Sequence, residues 1–153
     1  MKIIQATIEH LDDVVPLFEA YRVWYHKPAN ELKTRQFLTE RILKNESIIY
    51  LIYTEGGQAA GFTQLYPIFS STRLGRLWLL NDLFVAPVAR GKGFSVALIE
   101  HVKEMVRQTG AVGVFLETDK INEIGNKLYP KTGFNLSNKT QNYYTWDNPD
   151  FEI

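Results

Sequence analysis

The most informative stretch of this sequence runs from Val85 to Ser95 and reads VAPVARGKGFS. Gly91 and Gly93 remove side chains where the backbone turns and where a ligand can approach closely. The helix predicted to follow offers unpaired amide donors and a positive dipole end, and Arg90 and Lys92 add two cations. This combination predicts a small anion site, and a tight turn with two solvated cations is the alternative interpretation.

The segments around this loop predict a parallel crossover. We expect a strand over 77–85, a helix over 91–108 whose apolar residues share one face, and a further strand over 112–117. A strand, a helix and a strand in this order are typical of two parallel strands joined by the helix.

The first half of the chain predicts an antiparallel arrangement. A strand over 2–6 precedes two helices, one from about Glu9 into Tyr25 and one over 30–44. Strands rich in β-branched and aromatic residues follow over 47–54 and 59–69. Because short turns join these strands to the strand that leads into the loop, they predict an antiparallel meander.

A short helix over 122–131 and one or two strands from Phe134 to about Trp146 complete the second half. The predicted fold class is therefore α/β (α+β), with the element order β-α-α-β-β-β-α-β-α-β-β. A central twisted sheet of about six or seven strands, mixed but mostly antiparallel, would be flanked by about four helices. The 153 residues suit a single domain over 1–153.

The composition excludes several kinds of chemistry. The chain has 17 Lys and Arg, 17 Asp and Glu, and no cysteine. Disulfides, thiolate metal sites and a covalent route through sulfur are therefore excluded, and we predict no bound metal. The balanced charge predicts no nucleic-acid partner. The sequence has neither a signal-peptide pattern nor an apolar run of about 18 residues, so we predict a cytoplasmic protein without a membrane partner.

Two common nucleotide-binding motifs fit the glycine loop poorly. A Walker loop needs two glycines separated by four residues and followed by Lys and Ser or Thr, a pattern that this loop lacks. A dinucleotide fingerprint needs a third glycine where Val96 stands, although Glu117 could imitate its ribose-binding acid.

Two motifs resemble those of the GNAT acetyltransferases. The run RGKGFS over 90–95 resembles the family's acetyl-CoA loop, R-x-x-G-x-[GA], and LFVAP over 83–87 resembles the strand before it. The run NEIGNKLYPKTGF over 122–134 resembles the second motif, N-x-x-[AG]-x-x-[LF]-Y-x-x-x-G-F. Ser95 and Pro130 depart from these patterns. The resemblance covers nearly the whole chain and implies the GNAT fold, in a bacterial single-domain branch.

The resemblance implies an N-acetyltransferase that uses acetyl-CoA as co-substrate. Its implied binding residues are Leu83, Phe84, Val85, Arg90, Gly91, Lys92, Gly93, Phe94, Ser95 and Asn122. The backbone of Leu83 and Val85 would bind the acetyl and pantetheine portions, and the loop would hold the pyrophosphate. By its place in the second motif, Tyr129 matches the family's general acid. A phenol has a pKa high enough to stay protonated until the thiolate leaves.

The base and the acceptor stay open. Glu117, at the end of its predicted strand, and Asp82, on the strand before the loop, are both candidates for the base. Without a cysteine, direct attack by the amine in a ternary complex is the simplest route. Candidate acceptor-pocket residues are Trp24, His26, Phe69, Trp78 and Asn81. A polyamine, an amino acid, another small amine or a protein amino group would each suit such a pocket.

Two other functions and one assembly state are also open. A non-catalytic acyl-CoA-binding sensor or scaffold would keep the loop while Pro130 disables Tyr129. A nucleotide-binding domain of another type is a weaker alternative. The strand edge over 143–146 would suit a homodimer, unless another segment covers that edge.

Overall fold

Five strands form one sheet in the part of the chain that the computed structural model describes, residues 1–137. The strands lie in sequence order, and the sheet is antiparallel from β1 to β4 and parallel between β4 and β5. Their bounds are Lys2–Gln5 for β1, Ile48–Tyr53 for β2, Ala59–Ser70 for β3, Gly75–Val85 for β4 and Gly113–Phe115 for β5. The predicted meander and parallel crossover are both confirmed.

The described residues contain four α-helices. The helices are α1 over Leu11–Trp24, α2 over Glu31–Leu43, α3 over Phe94–Gln108 and α4 over Glu123–Lys131. The chain divides into two compact units, residues 1–119 and a unit that begins at Lys120, and each is described by itself. The strands expected after Phe134 fall mainly on residues outside the described part, and residues 134–137 form no strand.

Three predicted boundaries differ from those in the structure. The helix after the loop begins at Phe94 and not at 91, because Gly91 and Gly93 have φ values of 76° and 81°, outside the right-handed helical region. The first helix begins at Leu11, and a 3₁₀ turn over Ile8–His10 occupies its predicted start. β5 is also shorter than expected, because its ladder with β4 ends at the pair Leu79–Phe115.

Each face of the sheet carries its own apolar core. One core packs α1 and α2 against the sheet through side chains such as Phe18, Leu38 and Phe62. The other packs α3 against the opposite face, with Leu98 and Val102 at its centre. Successive strand residues alternate between these two cores, as expected for a sheet that is covered on both faces.

A β-bulge interrupts the alternation in β4. Asp82 pairs with Gln64 and Leu80 pairs with Leu65, so Asn81 is an extra residue without a partner on β3. As a result, Leu80 and Leu83 both face the α3 core, although they are three residues apart. Beyond Leu79, no residue of β4 pairs with β5 in the described part of the chain, so this edge of β4 is open.

Glu19 joins α1 to the start of α2. Its carboxylate accepts hydrogen bonds from Arg22 Nη1 at 2.9 Å, from the backbone nitrogen of Asn30 at 2.6 Å and from the Thr34 hydroxyl. Burial raises the pKa of the Glu19 carboxyl, but the hydrogen bonds from Thr34, Arg22 and Asn30 outweigh it and hold the pKa below its usual value. The loop between the two helices is thereby fixed to α1.

Glu19→Gln is expected to lower the free energy of unfolding by about 1–3 kcal/mol at pH 7, because it removes a charged acceptor of several hydrogen bonds. A lowered pKa in the folded state stabilises the protein above the ordinary value of 4.5, and this stabilisation is lost as pH falls through the folded-state pKa. Urea unfolding of the wild type and the variant at pH 7 and pH 3 should therefore show a smaller difference at pH 3.

The matched control is Glu100→Gln, which breaks the exposed pair that Glu100 forms with Lys103 on α3 at 2.9 Å. An exposed pair contributes at most about 1 kcal/mol, so this variant should unfold nearly like the wild type. Equal losses in the two variants would contradict the role given to Glu19.

Candidate functional site

The loop before α3 is an open cradle of backbone amides. Gly93 is the N-cap of α3, and the first amides of a helix have no partner within that helix. A Cβ atom added at Gly91 or Gly93 would meet nothing within 4 Å, so both glycines border open space. Their positive φ values turn the chain so that a ligand can approach the helix N-terminus directly.

Two cations flank this cradle. The Arg90 side chain donates from Nε to the Val85 carbonyl at 3.1 Å, and its guanidinium carbon lies 5.0 Å from the centre of the Trp24 ring. Lys92 donates from Nζ to the Val88 carbonyl at 3.4 Å. The structure thus brings Trp24, which was predicted for the acceptor pocket, into contact with the loop arginine.

The open edge of β4 leads into the cradle. The Ala86 amide donates to Ala60 on β3 at 2.9 Å, and backbone groups alternate between the two edges of a strand. The backbone groups of Val85 and Leu83 therefore face the open edge. Phe84 differs from them, because its backbone faces β3 and its side chain is buried in the core beneath α1.

Asp82 lies at the centre of a buried polar cluster. Its side chain is on the α1 side of the sheet, and the residue is 3% exposed. One carboxylate oxygen accepts from Gln64 Nε2 at 2.8 Å, the other accepts from Asn81 Nδ2 at 3.0 Å, and the carboxylate also bonds to the Tyr21 hydroxyl. Ser47 donates to Gln64 Oε1 at 2.9 Å and so orients the amide.

Burial raises the pKa of the Asp82 carboxyl, and the hydrogen bonds from Gln64, Tyr21 and Asn81 counter only part of this effect. The group is therefore a stronger proton acceptor, once ionised, than an exposed aspartate. Glu117, the second base candidate, is exposed and lies two residues beyond the end of β5.

Sequence reasoning missed Gln64 and Tyr21 as partners of Asp82. The glutamine lies in the strongly apolar strand β3, and a fully buried amide in such a strand is a signal for a polar partner. Tyr21 follows the apolar spacing of α1, and this position is typical of a core residue. Its ring does pack in that core, 6.0 Å from Phe62, while its hydroxyl reaches the carboxylate.

The other predicted pocket residues are not all brought together. His26 is exposed just after α1 and has a φ of 57°, and Asn81 lies beside Asp82. Phe69 pairs with Arg76 near the start of β4, about 30 Å along the strand from Val85 at roughly 3.3 Å per residue. The Trp78 ring is buried in the core under α3.

In the second unit, α4 places Asn122 and Tyr129 beside one glycine. Asn122 is the N-cap of α4, where its side chain accepts a hydrogen bond from the Gly125 amide at 3.0 Å. A Cβ atom added at Gly125 would lie 2.6 Å from Asn122 Nδ2 and 3.1 Å from Tyr129 Cε2. The missing side chain of Gly125 therefore lets these two side chains approach each other.

Pro130 does not interrupt α4, which continues to Lys131. Proline has no amide to donate to the carbonyl four residues earlier, yet the last turn of α4 stays helical around Pro130. The chain then closes with Gly133 at a φ of 88° and with a hydrogen bond from the Phe134 amide to the Tyr129 carbonyl at 2.9 Å. The two rings of Tyr129 and Phe134 lie edge to face at 5.9 Å.

Residues 1–137 contain neither a cluster of metal-ligating side chains nor a membrane-spanning helix. Within this part of the chain, no group of three or more His, Asp or Glu side chains is placed to hold a metal ion. None of its helices combines the length and the apolar character needed to cross a bilayer.

A parallel crossover with a glycine-rich amide cradle beside an open strand edge is typical of α/β proteins that bind phosphate-bearing ligands. The family model described as the Acetyltransferase (GNAT) family matches residues 12–134. The chain therefore belongs to the GNAT family of acetyltransferases, as the resemblance of its two motifs implied.

Individual relatives agree with this assignment. The chain is 40% identical to the uncharacterized N-acetyltransferase YhfO of Bacillus subtilis (strain 168) over 134 residues, which cover 88% of this chain and 89% of the relative. A probable acetyltransferase of Haemophilus influenzae is 35% identical over 136 residues, with 86% and 93% covered. The crystal structure of a probable acetyltransferase matches with a TM-score of 0.92 and 40% identity, covering 97% of this chain and 99% of that one.

Proposed function

We propose that this protein is an N-acetyltransferase that transfers the acetyl group of acetyl-CoA to a primary amine of a small molecule, a peptide or a protein. The observation that carries the proposal is the amide cradle at α3, which lies directly after the open edge of β4. We further propose that residues 1–153 act as a single domain and that the amine attacks directly in a ternary complex.

The residues at the cradle suit the phosphate and pantetheine parts of acetyl-CoA. The amides from Gly91 to Ser95, including that of the buried Phe94, would bind the pyrophosphate, and the cations of Arg90 and Lys92 would balance its charge. The backbone of Leu83 and Val85 offers donors and acceptors to a chain of amides, as an added strand would. Bound acetyl-CoA supplies the activated acetyl thioester.

Asp82 and Tyr129 would divide the proton transfers. Asp82, buried and with a raised pKa, suits the removal of a proton from the acceptor amine better than the exposed Glu117 does. Tyr129 would donate a proton to the departing thiolate sulfur. Asn122 would contact acetyl-CoA from the start of α4 while it caps that helix.

We assign the acceptor pocket to Trp24, His26 and Asn81. Trp24 already contacts Arg90, and Asn81 contacts Asp82, so these residues border the proposed ligand and the proposed base. Phe69 and Trp78 are left out, because Phe69 lies near the end of β3, far from Val85, and Trp78 is buried beneath α3. Carboxylate and aromatic groups suit a cationic amine.

A non-catalytic sensor is not favoured by any described feature. That alternative required Pro130 to disable Tyr129, and α4 runs through Pro130 without a break. The homodimer and the cytoplasmic location stay predictions, and the strand edge over 143–146 lies outside the described residues.

The test is a thiol-release assay with acetyl-CoA and a panel of polyamines, amino acids and peptides, followed by mass spectrometry of the product. We expect at least one amine to raise thiol release well above the rate without acceptor and to be recovered as its N-acetyl product. Tight CoA binding with no turnover on any amine would overturn the proposal in favour of a sensor.

A further inference from the structure

A line of hydroxyl groups connects the buried Asp82 to the surface at the end of α1. The Tyr21 hydroxyl is hydrogen-bonded to the Asp82 carboxylate, and the side chains of Tyr21 and Tyr25 are hydrogen-bonded to each other. The two rings lie edge to face with 5.0 Å between their centres. Asp82 is 3% exposed and Tyr25 is 41% exposed, so the line begins in the protein and ends at solvent.

The chemistry of the groups gives this line a direction. An ionised carboxylate only accepts hydrogen bonds, so the single proton of the Tyr21 hydroxyl points at Asp82. The Tyr21 oxygen is then the acceptor for the Tyr25 hydroxyl. A proton that arrives at Tyr25 therefore has a continuous set of hydrogen bonds along which it can reach Asp82.

The other neighbours of Asp82 hold the carboxylate still. Gln64 Nε2 and Asn81 Nδ2 occupy the two oxygens from β3 and β4, and Ser47 fixes the amide of Gln64 from the other side. Thr63 donates from its hydroxyl to the Asp82 carbonyl at 2.8 Å. These hydrogen bonds orient the carboxylate toward α1, but none of them belongs to the line of hydroxyl groups that leads to solvent.

The titratable groups around Asp82 are tyrosines and a few charges. Tyr66 on β3 has its pKa raised by burial and by the charge of Asp82, while Arg41 on α2 acts on Tyr66 in the opposite sense. Tyr25 has its pKa raised by burial, by Asp119 and by Asp82. Tyr25 therefore keeps its proton near neutral pH and serves as a neutral relay.

We propose that Tyr25 and Tyr21 relay a proton from the ammonium form of the acceptor to Asp82, and that Gln64 is a positioning residue for this carboxylate. The proposal rests on the proposed acetyltransferase function. Tyr25 would contact the acceptor nitrogen and is therefore assigned a catalytic role. Tyr21 is assigned a relay role in addition to the packing of its ring in the core.

The relay balances in protons and electrons. The ammonium nitrogen gives one proton to the Tyr25 oxygen, the former Tyr25 proton passes to the Tyr21 oxygen, and the former Tyr21 proton passes to the Asp82 carboxylate. The nitrogen keeps the electron pair of its broken N–H bond and becomes a neutral nucleophile. Asp82 becomes a neutral acid, and the same path in reverse returns its proton to solvent after the product leaves.

The experiment compares Tyr21→Phe and Tyr25→Phe with the wild type. Each variant keeps its ring, so the packing of Tyr21 against Phe62 and Phe84 is preserved. We expect kcat/KM for the best amine to fall roughly 100-fold in each variant near neutral pH. In Tyr21→Phe, the acid limb of the pH–rate profile should also move to higher pH, because Asp82 loses a hydrogen bond that favours its ionised form.

A second readout needs neither acetyl-CoA nor an acceptor. Carbonyl NMR of the free protein, labelled at its aspartate side chains and assigned with Asp82→Asn, follows the ionisation of Asp82 directly. The transition should move to higher pH in Tyr21→Phe. Gln64→Glu provides a check on positioning, because it replaces a donor to Asp82 with a second carboxyl and should move the same transition further.

Tyr53→Phe is the matched control. Tyr53 also donates its hydroxyl to an aspartate of α1, Asp13, at 2.6 Å, but it lies on β2 away from the cluster. This variant should keep the wild-type rate, pH profile and Asp82 transition. Wild-type rates in both relay variants, or lost rates with an unmoved Asp82 transition in Tyr21→Phe, would overturn the relay. Absence of turnover in the wild type with every amine would instead overturn the proposed function.

Discussion

Tyr129→Phe is expected to lower kcat by roughly 100- to 1,000-fold, because the variant has no proton to give to the departing thiolate. The fold should be retained, since the phenyl ring keeps its edge-to-face contact with Phe134 at 5.9 Å. The measurement is steady-state thiol release at saturating acetyl-CoA and acceptor, with the melting temperature of both proteins recorded alongside.

Affinity for acetyl-CoA separates the acid role from a binding role. Loss of the hydroxyl should leave the KM for acetyl-CoA nearly unchanged, because a group that acts only as the thiolate leaves stabilises the transition state alone. A more acidic thiol leaving group should recover part of the lost rate. Near-normal turnover in Tyr129→Phe would reject the acid role.

Gly93→Ala is expected to raise the Kd for CoA by 10-fold or more, as roughly 1.4 kcal/mol of lost binding would produce. The new methyl group would meet no protein atom within 4 Å, so it would project into the space beside the helix amides that the phosphates need. The φ of 81° adds strain of its own, because side chains rarely adopt this conformation. Calorimetric titration with CoA measures the effect.

The chain offers a control for the strain. Gly57, in the turn between β2 and β3, has a φ of 78° and the same open space around an added Cβ atom. Gly57→Ala should therefore lose about as much stability as Gly93→Ala, by about 1–2 kcal/mol, while it binds CoA like the wild type. If both variants lose CoA affinity equally, the cradle is not where the phosphates bind.

Local patterns predicted the parts of the fold that depend on neighbouring residues. The cradle was recognisable because a glycine at a positive φ is a local requirement, and the cap of α4 because Asn122 satisfies the helix that directly follows it. The start of α3 was missed by three residues. The apolar periodicity of that helix predicts which face is buried, but it does not predict the first helical residue after the two glycines with positive φ.

The partners of Asp82 could not be read from the sequence in the same way. They meet only because the bulge at Asn81 directs Asp82 toward α1, and because Gln64 pairs with it across the strands. Aromatic type alone suggested a pocket for Phe69 and Trp78, but strand register decides their position, and register depends on contacts between distant segments. Trp24 stays a candidate for the acceptor pocket, and its contact with Arg90 joins segments that lie far apart in the chain.

The extra residue in β4 also determines which changes in chain length this strand tolerates. Removing Asn81 would leave Leu80 and Leu83 facing the α3 core and Phe84 facing the α1 core, because regular alternation would then connect the two halves. A deletion elsewhere in either half would turn the following side chains to the opposite face. Removal of Asn81 is therefore compatible with folding, because both cores keep their side chains. It would, however, straighten β4 at the point where the bulge now bends the strand.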